Sequence, residues 1–571
     1  MKSPVLGSSY VVRSVNAADN RCVNLFPEII PEGGKEPAYL QRCPGLVLKT
    51  TIGTGPIRGL YSLGAYLYVV SGDKLYRLNS DFEISELAQS ALLKESGDFV
   101  LLESGERILL EAVGTSWIGT ISGSGPVSMA DNGTQIFIAA NPDGYIYNVS
   151  TEAFAQITDE DFPGAVTVGY LDGYFVFNEP DSQRVWVTSL LDGTSIDPLD
   201  FASAEGSPDG LVSLIIDHRE AWLFGTNSVE VWYNSGEADF PLSRIQGAYN
   251  EVGCIAPYSV AKMDNRVFWL GADARGQGIV YTAQGYQAVR ISTHAVEYAI
   301  QQYGNLSDAT AYTYQQDGHV FYVLNFTDAD TTWVYDAATE SWHERAGFRR
   351  GKFKRHRADN QARFANAPVV GDYENGRVYQ YSLDAYSDAG VTQKWLRSWR
   401  ALPTGANNLK RSAHHSLQID CETGVGLPGV DAFDNPTEIT TEAEVWVNTE
   451  SGDPETVGTM GTEVPEDVET ETCNNLLAVT EDDGLTLITE TSPVVGANPQ
   501  MILRWSDDGG HTWSGERQAS MGRSGSYATR VIYRRLGMTM KLRDRVYEIS
   551  GTDPVKVAIM GAELEVTGTA A

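Results

Sequence analysis

The strongest constraint on this chain is a hairpin that recurs seven times. An apolar strand, a short polar turn and a return strand ending in an aromatic residue or Leu appear at 66–78, 135–147, 174–187, 221–233, 267–281, 319–335 and 369–381. Apolar alternation around a Gly, Asn or Asp turn is the pattern of a half-buried antiparallel hairpin. The starts recur about every 40–50 residues, the length of one four-stranded propeller blade. A ring of such blades closes on itself and leaves few free sheet edges. The sequence therefore predicts an all-β protein, a β-propeller of six or seven blades, carrying inserted and C-terminal β-modules.

Flanking composition divides the rest. Residues 1–55 contain Pro27, Pro31, Pro37 and Pro44 and read as an extended N-terminal arm laid over another surface, expected to fasten neighbouring subunits. The propeller is expected over 56–415, interrupted at about 86–118 by a small β-meander whose Glu-Ser-Gly triplets at 95 and 103 repeat with an eight-residue period. Residues 421–500 hold 18 Asp or Glu and no Lys or Arg. They read as an acidic inserted β-module, with disorder as the competing expectation for so charged a segment. Alternating strands return over 501–571, completing the propeller or an adjacent β-sandwich. Helix is scarce, 293–303 being the best candidate.

With 42 basic and 75 acidic residues the formal charge is −33, so general adhesion to nucleic acid or anionic lipid is disfavoured. A channel wall along which DNA slides without sticking remains compatible with it. Five scattered cysteines without a C-x-x-C pair argue against a disulfide framework or a zinc site. No signal peptide is visible and no apolar run approaches a bilayer-spanning length, so direct membrane insertion is not expected.

Two motifs could carry function. Ser506, Asp508, Gly510, Thr512 and Trp513 fit the Asp-box pattern S-x-D-x-G-x-T-W. Its physics is that of a stapled turn: a short carboxylate accepting nearby donors, a glycine tolerating positive φ and a packed indole. The single concentrated basic run expected is Arg345, Arg349, Arg350, Lys352, Lys354, Arg355, Arg357 and Arg363, a candidate subunit-interface or DNA-contact element. The adjacent His414 and His415 point to opposite sides of a strand and cannot chelate together. Walker, nucleophile-elbow and H-E-x-x-H signatures are missing from the sequence, so no catalytic residue, metal or cofactor is predicted.

An ordered set of segments resembles the phage packaged-DNA stabilisation proteins, the tail-nozzle accessory factors of short-tailed bacteriophages. The set comprises 23–28 (VNLFPE), 39–46 (YLQRCPGL), 207–214 (SPDGLVSL), 223–233 (LFGTNSVEVWY), 333–345 (WVYDAATESWHER), 371–379 (GDYENGRVY) and 503–513 (LRWSDDGGHTW). Residues 86–118 and 425–497 depart from the pattern as insertions. The resemblance implies a structural virion protein, not an enzyme, in the virion tail and made and assembled in the host bacterium's cytoplasm. It implies a homohexameric ring beneath the portal and its adaptor protein, continuing the channel for dsDNA and helping to retain it. It also implies docking of a tail needle or plug and of tail fibres or spikes. The alternatives left open by the residues are a sialidase-like glycosidase or depolymerase, suggested by the Asp-box, and a non-catalytic glycan-binding adhesin on a propeller.

Overall fold

In the computed structural model the described residues are 1–85, 117–427 and 495–571, less 12, 14–18, 31–35, 205, 207–208, 238–239, 274–275, 404–410, 541–544 and 569–571; within 428–494 the description is limited to strand backbone. The seven recurrent hairpins are the second and third strands of seven blades. Blade 1 pairs Ile57–Leu63, Tyr66–Ser71, Lys74–Leu78 and Gly119–Thr120 in order. Blades 2, 3 and 4 follow over 128–156, 168–203 and 211–250, and blades 5 and 6 over 253–290 and 310–344, all antiparallel.

Blade 7 is made from both ends of the ring. Ala358–Phe364, Ala367–Asp372 and Arg377–Ser382 form three strands, and the fourth is Gly45–Thr51, antiparallel to Arg377–Ser382. The expected boundary after residue 55 is thus misplaced: the arm donates a propeller strand. The reason is edge chemistry, because an unpaired outer strand would expose a row of backbone donors and acceptors.

Seven apolar clusters fill the seven gaps between neighbouring blades. In blade 1, Leu67 and Val69 pack toward blade 7 while Tyr68 and Val70 pack toward blade 2. All four are fully buried. Inner hairpins are therefore buried on both faces, not half-buried as alternation alone suggested, which is why their strands read as almost continuous apolar runs. Thr293 caps the helix His294–Ile300, whose Val296 and Ile300 complete the cluster between blades 5 and 6.

Most of the remaining strands form a β-sandwich. One sheet runs Leu25–Ile29, Ala38–Arg42, Ala558–Gly568, Ser412–Cys421, Val531–Met538, with Lys2–Ser3 also paired to Ala558–Gly568. The other runs Cys22–Val23, Trp395–Arg400, Val546–Gly551, Gln500–Ser506, Arg517–Ser520. It joins blade 6 through a parallel pairing of Val23 with Glu344. Trp395, Trp399, Leu417, Ile419, Met501, Leu503, Tyr547 and Ile549 pack between the sheets. The strands Trp395–Arg400, Ser412–Cys421 and those from 500 onward thus belong to the sandwich, and the propeller ends at 382 instead of 415.

The first nine residues are stapled into this same chain. Ser3 Oγ donates to Ala401 O and accepts from Trp399 Nε1, while Arg397 Nε donates to Val5 O. They are therefore not free to fasten a neighbour in the way the sequence suggested. Six strands between Thr437–Ile439 and Gly484–Thr489 pair into one sheet within the acidic segment. The meander expected at 86–118 lies almost wholly outside the described residues.

Candidate interaction surfaces

The inner edges of all seven blades converge on one axial cavity of about 270 Å³, blade 5 contributing through its turn at 257–260. Arg58, Met129, Thr167, Leu214, Tyr258, Thr310 and Asn360 are among its walls. Arg58 is buried, and its guanidinium donates to the carbonyls of Gly125, Gly72, Ile121 and Ser122, so it ties blade 1 to the 121–125 connection. Burial lifts the Tyr258 phenol to about 12. A DNA duplex, whose major groove alone is about 12 Å wide and 8.5 Å deep, cannot enter so small a space. The propeller axis holds blades together and is not a nucleic-acid passage.

The basic run 345–363 is dispersed by the fold into three environments. Arg345 is fully buried between blades 6 and 7. Its Nη1 donates to Tyr314 Oη at 2.9 Å, its Nη2 donates to Pro44 O, and its guanidinium lies 4.4 Å from the Tyr381 ring centre. Arg355 is buried over Tyr373 at 3.6 Å, and Arg357 is buried against Asp372 at 2.6 Å. These three cannot serve as surface contacts, because each would have to leave a desolvated partner.

The rest of the run is outside. A hairpin of Ala346–Arg349 and Lys352–Arg355 presents Arg350 and Lys352 at its exposed tip. Arg349 is held by Glu374 and Lys354 by Asp330, while Arg350, Lys352 and Arg363 have no ion partner among the described residues. Arg363 stands at the far end of Ala358–Phe364, beside the turn to Ala367–Asp372, so it does not extend the hairpin patch. Strand order in sequence made one cluster; alternating burial and chain reversal make three.

Around Arg345 lies a buried polar junction between propeller and sandwich. His319 in blade 6 bridges Asp336 at 2.8 Å and Glu28 of the sandwich at 2.5 Å. Bonding to Asp336 raises the imidazole to about 9, with Glu28 adding to the effect, so it stands charged between two carboxylates. Asp388 is buried with only Gln393 Nε2 among the described residues donating to its carboxylate, at 3.3 Å, and burial pushes its carboxyl up to about 6. Gln393 also accepts from Arg42 Nε, and Arg42 Nη1 donates to the carbonyls of Asp553 and Val555. Burial lowers His343 to about 3 and drives His356 well below the ordinary imidazole range. Sequence reasoning named Arg345 only as a surface contact and missed the rest of this network, since its members come from many separated strands and loops.

The Asp-box residues form a turn in the sandwich, between Gln500–Ser506 and Arg517–Ser520. Asp508 accepts from Ser506 Oγ at 2.6 Å, from Thr512 N at 2.9 Å and from Thr512 Oγ1 at 2.6 Å, and these bonds hold its carboxyl below the usual range. Gly510 N donates to Ser506 Oγ at φ +100°. The Trp513 ring lies under the Arg504 guanidinium at 4.7 Å. The carboxylate is wholly engaged in shaping the loop. Among the described residues no group of three or more His, Cys, Asp and Glu is placed to hold a metal ion.

Two sequence models of one phage protein match this architecture. One, described as the β-propeller of bacteriophage P22 Gp10, spans residues 104–386; the other, described as its β-sandwich, spans 470–567. The chain belongs to the bacteriophage P22 Gp10 family. It is accordingly a structural protein of a phage tail. The Gp10 propeller match ends four residues past the last strand of blade 7. No curated protein matches the chain in sequence. Among solved structures it is similar to the computationally designed Ika8 protein, at 16% identity over 59% of this chain and 100% of that one, with a TM-score of 0.34. It is also similar to the Cps50 (Swd1) β-propeller domain of Myceliophteria thermophila, at 8% identity over 59% and 99% with a TM-score of 0.35. The N-terminal domain of Nup159 aligns at 10% identity over 62% and 98%, again at 0.35.

Proposed function

We propose that this Gp10-family chain assembles as a homohexameric nozzle at the end of the phage tail. In this reading the ring sits below the portal-adaptor protein, continues the channel for dsDNA, helps retain the packaged genome, and docks a tail needle or plug and tail fibres or spikes. Synthesis and assembly take place in the cytoplasm of the host bacterium. The observation that carries the reading is the joint match of propeller and sandwich to Gp10.

The narrow propeller axis constrains the geometry of the proposal. DNA has to pass along the axis of the ring, between copies, and not through any one propeller. Six copies at −33 carry about −200 formal charges, which suits a conduit that lets a polyanion slide without gripping it. The exposed tip at Arg350 and Lys352, and separately Arg363, are the parts of the basic run free to meet an acidic neighbour or a phosphate.

The test is a map of the assembled tail together with the copy number per virion. Six copies around the tail axis support the nozzle; a location off that axis overturns it. Replacing Arg350 and Lys352 by Ser should leave the fold within about 0.5 kcal/mol of wild type, as for most surface changes. The same variant should lower the yield of filled, DNA-retaining particles. Normal yield and composition would remove the tip from the interface.

A further inference from the structure

A second basic region is hidden in an acidic chain. Residues 501–545 contain nine Lys or Arg against four Asp or Glu, whereas 428–494 contain seventeen Asp or Glu and no Lys or Arg. Within the basic region Arg504 is held by Glu548 and Arg545 by Asp507. Arg530, Arg534 and Arg535 are exposed and have no carboxylate partner among the described residues. Tyr527 and Met540 lie along the same edge, 77% and 74% exposed. Solvated arginines interleaved with large apolar side chains are the composition of a contact surface more than of a free one.

Strand addition is disfavoured on this edge. Val531–Met538 ends its sheet, but Arg517 Nη1 donates to the carbonyls of Arg534 and Arg535, and Arg535 sits at φ +57° beside a register shift. An incoming backbone would find its acceptors taken and its register broken. Recognition there has to be through side chains.

The acidic insertion leaves the sandwich next to this edge. Gly424 N donates to Met521 O at 2.9 Å, Thr423 Oγ1 donates to Tyr527 O at 3.0 Å, and Leu427 N donates to Gly496 O at 2.9 Å. Both stems are therefore seated at the 521–527 loop that runs into Arg530. Each copy presents an anionic element and a cationic element side by side, different surfaces that complement each other. Insertion against insertion is repulsive, so two-fold pairing through these elements is disfavoured, and a head-to-tail contact that repeats around a ring is favoured.

We propose that the basic edge at Arg530, Arg534 and Arg535 seats the acidic insertion, residues 428–494, of a second copy of this chain. The proposal rests on the ring reading given above and supplies one of its contacts. Because the insertion stems abut, residues 428–494 can be replaced by a short Gly-Ser turn without parting the sandwich strands.

The experiment uses the full chain and two variants, one carrying Arg530→Glu, Arg534→Glu and Arg535→Glu, the other lacking 428–494. Thermal melts near wild type establish that each folds. In sedimentation velocity, wild type should form closed oligomers, and each variant alone should associate at least ten-fold more weakly. Mixing the two should restore one-to-one pairs that do not extend, since only one complementary contact remains; 0.5 M NaCl should dissolve them. If wild type assembles and both variants do so equally well, the proposal falls while the ring reading stands. A mixture that stays monomeric overturns it in favour of contact within one copy. Binding of a 30-base-pair duplex by the insertion-deleted protein, lost on Arg→Glu change, overturns it in favour of nucleic acid. Wild type that never associates overturns the ring reading as well.

Discussion

Arg345 shows how misleading a local charge run can be. Its neighbours in sequence suggest a solvent-facing patch, yet its own donors meet Tyr314 and Pro44 in a fully buried space. Deleting it leaves a phenol and a carbonyl unsatisfied, at about 1–3 kcal/mol apiece. Arg345→Ala should therefore lower unfolding free energy by about 3 kcal/mol or more, read from the denaturant midpoint, while Arg350→Ala should barely move it. Asp388 gives a pH signature. Its folded carboxyl is raised from 3.8 to about 6, so the folded state binds the extra proton between those values. The resulting penalty is absent below pH 4, grows as pH rises through 6, and reaches about 3 kcal/mol above it. Asp388→Asn should stabilise the protein at pH 8 and lose that advantage at pH 4. His319 moves stability in the same direction but over a higher range: its bonds to Asp336 and Glu28 stabilise fully below pH 6.5, and that stabilisation is lost as pH rises through about 9. His319→Gln should flatten the melting profile between pH 7 and 10.

At the scale of elements, the seven hairpins were legible because periodicity and turn chemistry are local. What was not legible is pairing between distant segments. Nothing near Gly45–Thr51 says that it completes a sheet with Arg377–Ser382, because the signal is an open edge that exists only after the ring has formed. The same holds for Trp395–Arg400, which is central in the sandwich between Cys22–Val23 and Val546–Gly551. Trp399 packs fully buried there, and Trp399→Ala should cost about 3–5 kcal/mol. Leu46 fills the cluster between blades 6 and 7. Proline at Leu46 should open blade 7, since it stiffens the backbone and removes a donor. Limited proteolysis would then cut within 358–382, where wild type resists.

For the whole molecule, the fold class and the division into propeller plus C-terminal β-module could be read from sequence, and the family match agrees with both. The interaction surfaces could not. The basic run was visible as a string of residues, but burial removed Arg345, Arg355 and Arg357 from it. The edge at Arg530, Arg534 and Arg535 passed unnoticed because its charges are diluted along the chain and gather only when strands align. Acid should unfold the molecule through its interior: His343, His356 and His414 are kept neutral by burial. Each opposes folding as pH falls below 6.5, because the unfolded chain takes up protons the native one refuses. Stability measured from pH 7 to 4 should fall, and His414→Gln should soften the decline.

The shared seventh blade also bears on how such a chain is made. During synthesis Gly45–Thr51 emerges more than 300 residues before Arg377–Ser382, so six blades can pack in order while the first-made strand waits without a mate. Such a wait leaves an adhesive edge in a crowded cell. Nascent chains stalled before residue 377 should therefore bind chaperones, and those released after 382 should escape them.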